Sequence, residues 1–88
     1  MTIRLTPRLT KAARSLLGWQ QADMAEASGV SRSTVGAFES KDEEARLTTM
    51  NNRAVVEAFE RAGVEFIPEN GGGVGLRLKA RGGRTDVA

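Results

Sequence analysis

The sequence predicts a mainly α domain of about four helices closed by a C-terminal β-hairpin. Three observations carry this. Apolar residues recur at helical spacing from Leu9 to Leu17 and from Leu47 to Ala62, and two shorter helical stretches lie between them. Gly18, Gly29 and Gly63 stand where helical stretches end, at positions a left-handed turn can use. Beyond Gly63 the period falls to two, over Val64-Glu65-Phe66-Ile67 and again over Val74 to Lys79, with Pro68 to Gly73 as the turn. With 88 residues the chain has room for one modest core. The domain is expected over residues 1–79, with the hairpin at 64–79. Residues 80–88, ARGGRTDVA, read as a disordered tail.

The first helix opens at Thr6-Pro7, with Thr as the N-cap and Pro at the first helical position. Leu9, Ala12, Ala13, Leu16 and Leu17 form its apolar face, and Arg8, Lys11 and Arg14 fall largely on the others. Trp19 is expected to fold back on the core. Gln20 is a poor N-cap, so the start of the second helix is expected to be loosely fixed. That helix spans Gln21 to Ala27 and the next spans Ser31 to Glu39. Ala25 is small where the two would cross. Val30, Val35 and Phe38 face a shared core, and Ser31 caps the second helix of the pair. Arg32, Ser33, Gly36 and Ala37 are left on the outer side. In the final helix, capped by Thr48 or Thr49, Met50, Ala54, Val55, Ala58, Phe59 and Ala62 hold helical spacing. Val56 lies off that stripe, and Glu57 and Arg61 are spaced to pair. Three consecutive glycines, Gly71 to Gly73, read as a hairpin turn rather than a phosphate loop, because no Lys-Ser/Thr follows and no helix opens after them.

Two short helices about a Gly turn, with a polar helix end projecting from the pair, make a helix-turn-helix. The stretch QADMAEASGVSRSTVGAFES resembles the phage-repressor/Cro-like family, also called the XRE family. The resemblance rests on Gln21, Ala25, Gly29-Val30-Ser31, Val35 and Phe38-Glu39. Leu17-Gly18-Trp19 and Gly63 to Ile67 look like a small bacterial subgroup of it. It covers roughly residues 5 to 79. It implies a lambda-repressor/Cro-like fold and binding to double-stranded DNA. Gln20 departs from the family's usual Ser or Thr. So does the loop after Glu39, where Asp42, Glu43 and Glu44 interrupt a segment that in the family runs along the DNA backbone and is often basic.

Net charge is only +2, but it is unevenly placed. Residues 1–38 carry five basic against two acidic side chains, residues 39–69 four against eight, and residues 70–88 four against one. The basic ends can supply the local positive patch that DNA binding needs. The chain has no Cys and no His, which excludes disulfides, His/Cys zinc ligation and the commonest general base. No metal, cofactor or catalytic constellation is legible, so an enzyme is not expected. No apolar run is long enough for a membrane, and no signal-peptide core is visible, so a cytoplasmic protein is expected.

By resemblance and position, Arg32, Ser33, Gly36 and Ala37 are the candidates for base reading, with Arg32 able to bond guanine bidentately. Gln21, Ser31, Thr34, Lys41 and Arg46 are the candidates for phosphate contacts. Val74, Leu76 and Leu78 form the apolar side of the last strand and are the candidates for homodimerisation, through two half-sites on DNA. The expected function is transcriptional regulation, more often repression, since no activator or ligand domain is seen. The alternative is a protein-interaction module on the same scaffold, an antiactivator or antitoxin with a protein partner. The acidic loop, the short side chains of the recognition helix and the hairpin's open edge favour that alternative.

Overall fold

The computed structural model describes residues 3–69 and 71–79. Its elements run α1 (Pro7–Leu17), α2 (Gln21–Ser28), α3 (Arg32–Glu39), α4 (Thr49–Arg61), β1 (Val64–Ile67) and β2 (Gly75–Leu78). The architecture is the mainly helical one expected, with a two-stranded antiparallel hairpin at its C-terminal end. The expected tail, residues 80–88, lies outside the described residues.

Local chemistry sets most boundaries. Thr6 Oγ1 accepts the Leu9 N–H at 3.2 Å, and Pro7 starts α1. Gly18, at φ 69°, closes α1 in the left-handed region. Thr48 Oγ1 accepts the Asn51 N–H at 3.1 Å and so caps α4. The start of α2 is better fixed than Gln20 promised, because the Asp23 carboxylate accepts the Gln20 N–H at 2.8 Å. The acid on the first turn supplies the cap that residue 20 lacks.

The core is built from Leu5, Ala13, Met24, Val30, Val35, Phe38, Val55, Val56, Phe59 and Val64. Trp19 stacks on Phe59 with ring centroids 5.7 Å apart, and Phe66 meets Phe59 edge-on at 6.2 Å. Several expectations about the helix faces need correction. On α1, Ala12 and Leu16 are exposed, whereas Pro7 and Thr10 are buried. The buried stripe is rotated because the segment before the helix also packs, with Leu5 fully buried. On α4, Met50 is 82% exposed while Val56 is 3% exposed, so the core-facing stripe starts later and is wider than periodicity indicated. Arg61 does not pair with Glu57. Its Nη2 donates to the Ala27 carbonyl at 2.9 Å, tying the end of α4 to the end of α2.

The hairpin register pairs Val64 with Leu78, Glu65 with Arg77, Phe66 with Leu76 and Ile67 with Gly75. Val64, Phe66, Leu76 and Leu78 therefore share one face, and Arg77 Nε donates to Glu65 Oε1 at 3.0 Å on the other. β1 packs against α4, and β2 packs mainly against α1 rather than the final helix.

Candidate nucleic-acid interface

The α2–α3 pair turns at Ser28 to Ser31. Gly29 takes φ 78°, and its N–H donates to the Ala25 carbonyl at 2.9 Å. Ser28 Oγ donates to the Met24 carbonyl at 2.8 Å and accepts the Val30 N–H at 3.2 Å. Ser31 Oγ accepts the Thr34 N–H at 3.1 Å and starts α3. The Gly29 and Val30 N–H groups and the Ser31 carbonyl thus have local partners, which hold the turn between the helices. Val30, Val35 and Phe38 then sink into the core from the turn and the inner side of α3.

A buried ion pair locks the far end of α3. Arg14 of α1 grips Glu39 with two bonds, Nε to Oε2 at 2.9 Å and Nη2 to Oε1 at 2.7 Å. Their side chains are 19% and 3% exposed. Arg14 Nη1 also donates to the Trp19 carbonyl at 3.0 Å, and Gln21 Nε2 donates to Glu39 Oε1 at 3.1 Å. Four segments thus meet at the Arg14–Glu39 pair: α1, the α1–α2 turn, the start of α2 and the end of α3. The hydrogen bond to Glu39 raises the Arg14 pKa above its ordinary value, burial works against this, and the carboxylate's charge adds to the rise. A buried carboxylate is tolerated only when its lone pairs are used, and here they are. Sequence alone does not show this network, because Arg14 reads there as a residue off the apolar face of the first helix. Arg14 and Glu39 are far apart in the chain, and nothing local marks them as partners.

The predicted contact residues fall into distinct places. Arg32, Ser33 and Ala37 are exposed on α3. Ser33, Thr34, Ala37, Lys41 and Arg46 line one groove of about 310 Å³, closed on its other side by Leu47, Thr48 and Asn51. Arg32 lies a helical step around α3 from Ser33 and outside that groove. Gly36 is half-buried, and a Cβ there would meet Gln21 Oε1 at 3.2 Å, so its missing side chain lets α3 approach α2. Close approach falls at Gly36, with Ala25 only half-buried. Gln21 spends its amide on Glu39, and the Ser31 hydroxyl spends itself on Thr34.

The acidic loop is also rearranged by tertiary contacts. Glu43 Oε2 accepts the Arg8 N–H in the first turn of α1 at 3.0 Å. There it meets the positive end of the α1 dipole. Asp42 Oδ1 accepts the Glu44 N–H at 3.1 Å and folds the loop on itself. Of the three acids, only Glu44 accepts no hydrogen bond through its carboxylate among the described residues. Lys41 and Arg46 stay exposed on either side. Val74 and Leu78 are 40% and 48% exposed, while Leu76 packs on the core. No helix of the described residues is long and apolar enough to cross a membrane.

Comparison with known proteins agrees with this geometry. The family model described as helix-turn-helix matches residues 11–51, from the first helix to the start of the last. That segment is similar to the Cro/C1-type, XRE helix-turn-helix family, a family of DNA-binding regulators. A search of curated proteins gives no significant match.

Proposed function

We propose that the protein is a sequence-specific transcriptional regulator that binds double-stranded DNA with α3 in the major groove and acts as a repressor. One observation carries the reading. The α2–α3 pair is fixed at both ends, and the exposed side of α3 between them presents Ser33 and Ala37 in one groove with Lys41 and Arg46, with Arg32 exposed just outside it. Arg32 is the base reader in this reading, and Ala37 contacts a thymine methyl. Lys41 and Arg46 hold the phosphates. Ser31 and Thr34 contribute less, because their hydroxyls already serve the cap. The acidic loop is a smaller obstacle than its composition implies, since Glu43 is drawn to α1 and Asp42 to its own loop.

The operator in this reading has two half-sites, bound by a homodimer. One short helix with one strong reader specifies few base pairs, and a two-fold axis doubles that. The hairpin supports it. Lys79 N–H donates to the Gly63 carbonyl at 2.8 Å, so the main-chain groups of Leu76 and Leu78 point to the outer edge of β2. The half-exposed Val74 and Leu78 add apolar surface just before and at the end of that strand. Binding-site selection from random duplexes, followed by a salt titration on the selected and an unselected duplex, tests the function. A steep loss of affinity with salt, with the selected duplex bound tighter, is the expected result. Negligible binding at any salt sinks the reading and leaves the protein-interaction module. Sedimentation of the chain with and without the selected duplex tests the dimer, which fails if the mass stays monomeric at micromolar concentration in both.

A further inference from the structure

Arg4, Arg46 and Arg53 come from three separate parts of the chain and line one concavity of about 260 Å³ with Leu47, Thr49 and Asn52. Among the described residues, none of the three is paired with a carboxylate. Their attachments are firm. The Asn52 amide donates to the Ile3 carbonyl at 2.8 Å and accepts the Leu5 N–H at 2.8 Å, so it pins the backbone on both sides of Arg4. Leu5 is fully buried beside it. Arg46 stands between Ala45, whose N–H donates to the Asp42 carbonyl at 3.0 Å, and Leu47, which packs on the core. Arg53 rides on the second turn of α4.

Three arginines around one hollow repel each other, and among the described residues no carboxylate pairs with them to offset this. An anion with several oxygens does so, and the planar fork of Arg matches phosphate geometry. The hollow is smaller than the pockets that bury whole drug-sized ligands, but it admits a phosphate with part of a sugar. Arg46 and Leu47 line both this hollow and the groove beside α3, so the two are neighbours. We propose that Arg4, Arg46 and Arg53 together bind one phosphate group. Its source is either a backbone phosphate flanking the bases under α3 or a free phosphate compound. The duplex source rests on the DNA-binding reading above; the free source does not.

The test uses the full chain and the double variant Arg4→Gln/Arg53→Gln, with Lys11→Gln/Lys79→Gln as a control that removes the same charge elsewhere. Circular dichroism and melting check that all three fold alike. A backbone phosphate in the hollow predicts that the variant loses about tenfold in affinity on selected and random duplexes alike, with a log–log salt slope smaller by about 1 than the wild type's, and that the control loses less. A free phosphate predicts that duplex affinity matches the control's, while sodium pyrophosphate moves the amide NMR signals of Arg4, Thr49 and Arg53 in the wild type and not in the variant. The proposal is overturned if the variant matches the control on duplexes and pyrophosphate moves none of these signals. If the wild type binds no duplex at all, the DNA reading fails by itself, and the pyrophosphate titration alone decides the hollow.

Discussion

The two ends of α3 are held by different physics. At the C-terminal end, Glu39 is buried and takes three hydrogen bonds, two from Arg14 and one from Gln21. At the N-terminal end, Ser31 makes a single exposed cap, and Arg32 and Ser33 next to it are free in solvent. The first arrangement fixes where the helix points. The second leaves side chains that can still exchange water for a ligand. A reading helix needs both, since a mobile base reader is useful only if its backbone is already in place.

Glu39 is the residue whose loss should disturb α3 most. Glu39→Ala leaves the Arg14 guanidinium buried without its partner and is expected to cost about 3–5 kcal/mol of stability. Replacing both, as Arg14→Met with Glu39→Leu, should be far milder, because no orphan charge remains. Thermal or urea unfolding of the three chains checks this. A Glu39→Ala loss under about 1 kcal/mol would mean the pair anchors nothing.

Arg32→Ala makes the opposite prediction at the other end. Stability should stay within about 0.5 kcal/mol, as for an exposed side chain. Binding to the selected duplex should weaken by about 1–3 kcal/mol and lose preference at one base position. Equal losses on selected and random duplexes would reduce Arg32 to a phosphate contact.

Ser31→Ala lies between these cases. Losing the cap should cost about 1 kcal/mol of stability by unfolding. Any loss of DNA affinity should be equal on all duplexes. A change of base preference would show that the cap also sets the angle of the reading end.

The smallest expected effect is at the loop. Glu44→Gln should tighten binding to any duplex slightly at low salt, and the gain should vanish as salt rises. Glu43→Gln should instead lower stability slightly, because Glu43 meets the first turn of α1. The assignment fails if the two variants behave alike in both assays.

Much of the fold follows from local chemistry and is legible in the chain. Thr6-Pro7, Gly18, Ser31, Thr48 and the two strands act on neighbours within a few residues, so spacing alone locates them. The turn at Gly29 and the exposed side of α3 are readable for the same reason. What the chain does not display is the result of residues meeting from afar. Arg14 and Glu39 look like two surface charges until α1 and α3 are packed together. Gly36 looks like an open spot on the outer face until Gln21 is found against it. Glu43 looks like a charge repelling DNA until α1 presents its N-terminus. Met50 and Val56 exchange expected roles because the core meets α4 at an angle that only its neighbours determine. Arg4, Arg46 and Arg53 share no motif, and only folding brings their charges around one hollow. Caps, turns and periodicity act over a few residues and are readable along the chain; ion pairing, burial and convergence of charge join distant residues and arise only when the helices pack.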